Sequence, residues 1–305
     1  MSEPYPAAIT QNLWVFGSAA YPVYLFREGS EAILFEGGIG STAPLLVEQM
    51  GRAGMSLDEV RDLVITHAHP DHVMAVAALR KSSPGLQVGA SEAAARTLAM
   101  EKALGFFAQM DKTLVTALIE RGNVPSEHAP PLAEAAPIAV DRVVKEGDEI
   151  GVGASRFQVL QTPGHSECSL SFYEPVQKIL IISDATGYYM PADGTWWPNY
   201  FTDYGAYVSS IERLATLEAE HLCLSHNAVI RGAEAVRAYF AGALAATRQY
   251  HERILAAAEA GTPTRQIAEQ LGGEIHAKVG LMPLDFFQKN CGILVKLSLK
   301  AAGVT

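Results

Sequence analysis

The segment L-V-I-T-H-A-H-P-D-H-V-M, at positions 63–74, constrains this chain more than any other, because three histidines and an aspartate follow an apolar run within six positions. In an extended backbone, side chains at i and i+2 point the same way, so His67 and His69 can bind one metal ion together. The next residue is a proline that bends the path, and Asp71 and His72 then point differently, towards a second ion. Imidazoles and carboxylates suit zinc, and also iron or manganese. The segment therefore predicts a metal site between a strand and a helix.

Other ligand-type residues occur in the same context, a polar side chain at the C-terminal end of an apolar strand. They are His165 in Q-T-P-G-H-S, Asp184 in I-L-I-I-S-D-A and His226 in L-C-L-S-H-N. Because α/β sheets tend to build their sites at the carboxyl ends of strands, we expect these side chains to complete the metal site. Surface or capping roles are predicted for the remaining histidines: His128, His221, His251 and His276.

Charge, cysteine content and the absence of long apolar stretches indicate which partners and which cellular compartment to expect. The formal net charge of −10 gives an acidic surface that repels phosphate backbones, so nucleic acid is not expected to bind. The three cysteines, Cys168, Cys223 and Cys291, are far apart and form no C-x-x-C, which predicts neither a disulfide framework nor a cysteine-type zinc site. The N-terminal M-S-E-P-Y-P lacks signal-peptide character, and no apolar stretch approaches the ~18 residues of a membrane span. We expect a cytoplasmic protein that does not enter membranes.

Strand and helix signals predict an α/β fold in which helices cover two sheets. Short apolar runs bounded by turn residues predict strands at 9–16, 23–26, 32–35, 63–66, 88–90, 142–144, 157–161, 170–173, 179–183 and 222–224. Helical patterns cover 42–53, 73–81, 205–218, 232–259, 263–271 and 284–300. Residues 91–137 are predicted to be a helical insert, with two helices over 91–123 and a proline-rich loop over 124–137.

The order of T-H-A-H-P-D-H, T-P-G-H-S, S-D-A and S-H-N resembles that of the metallo-β-lactamase fold superfamily over about residues 10–232. The resemblance implies an αββα sandwich domain over 1–232, with residues 233–305 as a helical C-terminal extension packed on it. It also implies two divalent metal ions per chain, with zinc favoured over iron or manganese. The implied ligands are His67, His69 and His165 for the first ion, Asp71, His72 and His226 for the second, and Asp184 bridging both.

Three positions depart from the family's usual pattern, and none removes a ligand. The early strand carries Glu36-Gly37-Gly38, where the family usually has Asp-Thr-Gly or Asp-Gly-Gly. Ser183 precedes the bridging aspartate and Ser225 precedes the last histidine, where glycine is frequent in the family.

The resemblance implies hydrolysis of an ester, thioester or lactone bond by a metal-bridging hydroxide, since paired cations activate water and polarise a carbonyl. Asp71 is a candidate proton acceptor. Tyr188 is a candidate hydrogen-bond donor to the carbonyl or the leaving group. The aromatic-rich run over 188–207 is equally compatible with the wall of a small acyl-substrate pocket and with a core beneath the C-terminal helices.

Within the superfamily, the layout is most similar to the quinolone-signal response type, which acts on a 2-aminobenzoylacetyl-coenzyme A thioester. The shared features are a Glu-Gly-Gly-Ile strand end, a helical insert and closing C-terminal helices. Two alternatives stay open. One is an iron-dependent redox enzyme of the same fold, although His69 stands where flavodiiron oxygen reductases usually have glutamate. The other is a regulatory or binding protein that keeps its metals without catalysis.

Overall fold

The computed structural model describes residues 5–130 and 136–304, and its main strands form two sheets packed face to face. Residues 131–135 of the predicted proline-rich loop lie outside the described residues. The remainder of that loop contains a short 3₁₀ turn at Ser126–His128.

The first sheet combines an antiparallel half with a parallel half. Its strands are β1 (Ala7–Ala8), β2 (Leu13–Gly17), β3 (Pro22–Glu28), β4 (Glu31–Phe35), β5 (Val60–Val64), β6 (Gln87–Ala90) and β7 (Arg142–Val143). They lie in chain order, antiparallel from β1 to β4 and parallel from β4 to β7. The parallel strands need crossover helices, which the chain supplies between them.

The second sheet is built from the later part of the chain. The strands that follow β7 are β8 (Glu149–Val152), β9 (Ser155–Gln161), β10 (Leu170–Glu174), β11 (Ile179–Ser183), β12 (Tyr188–Met190), β13 (Thr195–Trp197), β14 (His221–Leu224) and β15 (Val229–Arg231). The sheet order is β15-β14-β11-β10-β9-β8, with β11 and β14 parallel and the other neighbours antiparallel. β12 and β13 form a separate hairpin that the sequence analysis did not predict.

Helices lie outside both sheets. They are α1 (Thr42–Arg52), α2 (Pro70–Val73), α3 (Val76–Ser82), α4 (Glu92–Leu98), α5 (Glu101–Glu120), α6 (Tyr204–Ala215), α7 (Ala233–Glu259), α8 (Thr264–Lys278) and α9 (Leu284–Ala301). The helix predicted over 73–81 corresponds to α3, which begins three residues later, and the short helix α2 before it was not predicted. α8 extends past the predicted end at 271 through Gly272, where a Cβ would lie 2.6 Å from the Gln288 backbone, so this glycine lets α8 approach α9 closely.

Three buried apolar layers show how the sandwich is held together. Phenylalanine rings from both sheets meet between them, with Phe35 4.9 Å from Phe157 and 5.1 Å from Phe172. α1, α3 and α4 cover the outer face of the first sheet, and α6, α7 and α9 cover that of the second. The αββα architecture and the closing C-terminal helices are therefore confirmed. Among the described helices, none combines the length and apolar character that crossing a bilayer requires.

Candidate metal centre

The seven candidate ligands all follow the carboxyl ends of strands. Four of them come directly after β5, and the others follow β9, β11 and β14: His67, His69, Asp71, His72, His165, Asp184 and His226. α2 begins at Pro70, a residue suited to the first helical position, so His69 lies at the helix boundary in an extended conformation. The strand-to-helix turn therefore directs His67 and His69 to one ligand group and Asp71 and His72 to the other, as the sequence predicted.

The first ligand group consists of His67, His69, His165 and Asp184. The His67 Nε2, His69 Nδ1 and His165 Nε2 atoms form a triangle with sides of 3.0, 3.0 and 3.1 Å. Asp184 Oδ2 lies 3.4 Å from His165 Nε2 and 3.8 Å from His67 Nε2. A tetrahedral zinc site with bonds of about 2.0–2.1 Å has edges of about 3.3–3.4 Å, so the four atoms match one coordination sphere.

The second ligand group consists of Asp71, His72 and His226. Asp71 Oδ2 lies 3.5 Å from His72 Nε2 and 3.6 Å from His226 Nε2. Asp184 also faces this group, with its Oδ1 3.3 Å from His226 Nε2 and its Oδ2 3.5 Å from His72 Nε2. One carboxylate therefore borders both groups, which is the geometry expected of a bridging ligand.

Two buried polar atoms at the centre of the cluster support the presence of a cation. His72 Nε2 and Asp184 Oδ1 are inaccessible to solvent and make no hydrogen bond. Burying a polar atom without a partner costs free energy, and a cation between the two ligand groups would supply the missing partner of both atoms. Imidazole and carboxylate donors of this kind fit zinc, iron or manganese.

The imidazoles of the first ligand group are held in the state that binds metals. Burial lowers the pKa of His67 well below its ordinary value, and neighbouring histidines lower it further. Burial and His165 lower the pKa of His69 to about 3, and burial also lowers the pKa of His165. These rings are therefore neutral near pH 7 and offer a lone pair to a cation.

The imidazoles of the second ligand group are surrounded by three carboxylates, Asp71 within the group and Glu36 and Asp184 beside it. Burial lowers the pKa of His72, but Asp71 and Glu36 outweigh it, and the pKa lies well above its ordinary value. The pKa of His226 is raised in the same way, because Asp184 and Asp71 outweigh burial. These carboxylates favour the protonated, positively charged form of both rings. A bound divalent ion would balance the negative charge of the carboxylates in the same way.

The second ring nitrogen of several candidate ligands has a fixed partner. The Nδ1 atom of His165 lies 2.8 Å from the Asn199 carbonyl oxygen, and that of His226 lies 2.9 Å from the Ala20 carbonyl oxygen. The His72 Nδ1 atom lies 2.9 Å from Glu36 Oε2. Such outer partners fix the tautomer and ring orientation of metal-binding histidines. In the sequence, Glu36 stands out only as a departure from the family pattern, and nothing there predicts this contact.

The aromatic run over 188–207 divides between the two roles considered for it. Trp197, Tyr200 and Tyr207 are buried in the core beneath the C-terminal helices. Tyr188 and Phe201 are half-buried at the metal centre, with ring centroids 4.9 Å from His226 and 5.3 Å from His165. Tyr188 and Phe201 also pack against this core, and their contacts with the two histidines place them where a substrate pocket at the candidate ligands would have a wall.

The four other histidines lie outside both ligand groups. His128 is buried rather than on the surface, and its Nε2 lies 2.9 Å from Glu48 Oε2. His251 stacks on Tyr204 at 4.0 Å, and His276 packs against Phe287. His221 is half-buried in β14. His221 belongs to β14 itself, whereas His226 follows the strand and lies in the second ligand group.

A cavity of about 640 Å³ lies behind the β12–β13 hairpin, between it and helices α7 and α8. Its walls include Met190, Trp196, Tyr250 and Lys278, and none of the seven candidate ligands. The hairpin separates this cavity from the metal centre, since Tyr188 on the same strand packs on His226. The cavity is therefore not part of the candidate site.

A family model supports the resemblance over most of the chain. The model of the metallo-β-lactamase superfamily matches residues 20–226, a range that contains all seven candidate ligands. The chain belongs to the metallo-β-lactamase superfamily. Members of this superfamily are metal-dependent hydrolases, and the ligand cluster of this member fits a metal site.

Solved structures of metallo-β-lactamases share the fold. A motif mutant of the Cronobacter sakazakii enzyme is 20% identical with a TM-score of 0.61, covering 85% of this chain and 99% of that chain. A subclass B3 enzyme of Bradyrhizobium japonicum is 19% identical with a TM-score of 0.58, covering 84% and 95%. At this identity the likeness establishes the fold alone.

A curated relative matches a shorter segment. Hydroxyacylglutathione hydrolase of Brucella ovis is 42% identical over 55 residues, which is 18% of this chain and 21% of that protein. The Brucella abortus enzyme of the same name matches to the same extent. The match thus spans about a fifth of the length of these relatives.

Proposed function

We propose that this superfamily member is a hydrolase that uses two divalent metal ions, with zinc as the first expectation, to cleave an ester or thioester of a small acyl substrate. The observation that carries the proposal is the pair of ligand groups bordered by one carboxylate, Asp184, whose buried Oδ1 has no hydrogen-bond partner. Paired sites of this kind supply an activated water and a polarised carbonyl when they are loaded.

The chain's own residues would divide the work of holding the ions and positioning the substrate. The first ligand group presents neutral imidazoles, and the second ligand group presents imidazoles and a carboxylate. Burial raises the pKa of Asp71, but His72 and His226 outweigh it and hold the pKa well below its usual range. Asp71 is therefore ionised at neutral pH, as a ligand or a proton acceptor must be.

Tyr188 is the proposed donor to the substrate. Its ring lies against His226, with the ring centroids 4.9 Å apart, which places the side chain at the metal centre. Burial raises the pKa of Tyr188, so the phenol keeps its proton at neutral pH. A protonated hydroxyl can donate to a carbonyl oxygen as negative charge develops on it.

A thioester is the favoured substrate class. Hydroxyacylglutathione hydrolase, by its name, cleaves a glutathione thioester, and the similar segment supports this bond type. The similarity of layout to the quinolone-signal response type adds acyl-coenzyme A thioesters to the candidates. The half-buried rings of Tyr188 and Phe201 form an apolar wall suited to an acyl chain or an aromatic acyl group.

Metal analysis combined with a substrate panel tests the proposal. Protein purified without chelator should contain about two ions per chain by mass spectrometry and should cleave at least one of a glutathione thioester, an acyl-coenzyme A, an aryl ester and a lactone. His69→Ala should lose metal and turnover, while His251→Ala, which lies outside the ligand groups, should keep both. A folded chain that takes up no metal, or turnover that persists in a metal-free chain, would overturn the proposal.

A further inference from the structure

Beneath the two ligand groups lies a buried set of hydroxyls that surrounds Glu36. Glu36 is 2% exposed and accepts a hydrogen bond from Thr66 Oγ1 at 2.8 Å on Oε1. The one hydrogen of the Ser225 hydroxyl is shared between this Oε1, at 3.3 Å, and Ser183 Oγ, at 3.2 Å. Its Oε2 lies 2.9 Å from His72 Nδ1. Ser183 Oγ lies 2.7 Å from Thr66 Oγ1, so it joins the same set.

The direction of each proton in this set follows from the contacts. The Thr66 hydroxyl donates to Glu36, so its oxygen must accept the hydrogen of Ser183. The Ser183 oxygen is then free to accept from His67 Nδ1, 3.1 Å away. A His67 ring that offers Nε2 to a metal must carry its proton on Nδ1, which completes a path from His67 through two hydroxyls to Glu36.

The second ligand group reaches the same carboxylate without an intermediate. A His72 ring that offers Nε2 to a metal carries its proton on Nδ1 and donates it directly to Glu36 Oε2. One buried carboxylate is thus the final acceptor for a histidine from each group. Glu36 itself has a φ of +78° at the end of β4, a strained conformation for a residue with a side chain, which points to a required position.

Ser183 is the connection that differs from the usual family pattern. It occupies a left-handed conformation with φ of +50°, which glycine adopts more easily. The chain nevertheless places a hydroxyl there, 3% exposed, against Thr66 and His67. A glycine at this position would remove the 3.1 Å contact of His67 Nδ1 and leave it only its longer contact with Thr66 Oγ1, at 3.3 Å.

We propose that Glu36 is the shared outer-shell carboxylate of both metal groups, acting directly on His72 and, through the positioning residues Ser183 and Thr66, on His67. A carboxylate behind a metal-bound imidazole fixes the ring and increases its basicity, and chained hydrogen bonds strengthen one another in a buried setting. The inference rests on the two-metal centre of the proposed function but is independent of the substrate.

The test measures metal affinity for one group at a time, by zinc competition with a chromophoric chelator. In a His226→Ala background, which leaves the first ligand group complete, Ser183→Gly and Thr66→Val should each weaken zinc binding by roughly 10- to 100-fold. Thr66→Ser, which keeps the hydroxyl, should restore it. In a His165→Ala background, Ser183→Gly should change zinc affinity less than about twofold. Glu36→Gln should weaken zinc binding in both backgrounds.

A matched control separates this role from general loss of structure. Ser171→Ala removes a buried hydroxyl from the neighbouring strand β10 that does not contact Glu36, and it should leave both affinities unchanged. The metal-free Ser183→Gly chain should unfold at the same or a higher temperature, since glycine relieves the positive φ. The inference would be overturned if Ser183→Gly weakened zinc binding equally at both ligand groups, or if it did not weaken zinc binding at the first ligand group. Zinc binding that follows the predicted pattern in a chain without hydrolase activity would instead overturn the proposed function alone.

Discussion

Asp184 Oδ1 lies 3.3 Å from His226 Nε2, because the parallel strands β11 and β14 that precede these residues end side by side. The other oxygen of Asp184 faces the first ligand group, 3.4 Å from His165 Nε2. A single carboxylate therefore contributes to both groups, and its removal should affect both.

Asp184→Asn should lose both metal ions and reduce turnover to the background rate. The amide is neutral and cannot offset two cations, although its size is almost the same. Metal content and hydrolysis measured on the same preparation would check this. Asp193→Asn, which removes an exposed carboxylate paired with Lys278, is the control and should retain the metals. A two-metal Asp184→Asn chain would contradict the bridging assignment.

Tyr188→Phe should lower kcat by about 10²-fold without changing metal content, since one hydrogen-bond donor to the developing oxyanion is lost. Steady-state kinetics with the best substrate of the panel provide the measurement. Tyr189→Phe removes the hydroxyl of the neighbouring residue. The Tyr189 ring packs on Trp196 rather than on His226, so this change should have little effect on kcat. Equal effects of the two changes would show that Tyr188 is not the donor.

Asp111 should make the folded chain less stable as the pH rises. Burial raises the pKa of its carboxyl to about 6, so the folded state binds this proton more tightly than the unfolded state. Stability is then lost between about pH 4 and pH 6 and stays lower above that range. Asp111→Asn keeps an acceptor for the Gly40 N–H, which lies 2.8 Å from Oδ1. It should stabilise the chain at pH 7 by on the order of 2–3 kcal/mol.

Chemical denaturation of wild type and Asp111→Asn across pH 4–8 checks this sign. The gap between the two free energies of unfolding should widen as the pH rises through 6 and then stay constant. A gap that is the same at pH 4 and pH 7 would show that the carboxyl does not titrate in this range.

Gly164→Ala should disturb the placement of His165. The glycine has a φ of +122°, and a Cβ there would lie 2.3 Å from the Tyr207 Cα and backbone N, so the loop must move. We expect a loss of about 3 kcal/mol in the free energy of unfolding and weaker binding at the first ligand group. Gly85→Ala is the matched control, since a Cβ there meets no atom within 4 Å. Unchanged metal affinity in Gly164→Ala would contradict the predicted link.

The sandwich and the position of the site could be predicted because they depend on local patterns. Each candidate ligand follows an apolar strand, and strand ends of this kind collect at one edge of an α/β fold. The αββα prediction was confirmed, and the structure brings all seven residues together, although their role as ligands stays a prediction. The hairpin β12–β13 was missed because its strands have three residues each and lie in an aromatic-rich segment that lacks alternation.

Outer contacts could not be predicted from the sequence. Thr66 and Glu36 are 30 positions apart and meet because β4 and β5 pair in the first sheet. Ser225 and Glu36 are 189 positions apart and meet only because the two sheets pack together. The sequence likewise could not predict which side chains of the aromatic run face the metal centre. Tyr188 and Tyr189 are adjacent in sequence, yet one packs on His226 and the other on Trp196, because neighbouring strand residues face opposite ways.

The candidate ligands come from both sheets, since four follow β5 of the first sheet and the others follow β9, β11 and β14 of the second. Each bound ion would therefore cross-link the two halves of the sandwich at its open edge. Because such ions bind the folded state far better than the unfolded chain, the free energy of unfolding should rise with the free metal concentration. Adding chelator should therefore lower the melting temperature. Separation of the sheets would break both ligand groups, so the candidate metal centre would stabilise the fold in addition to its proposed role in hydrolysis.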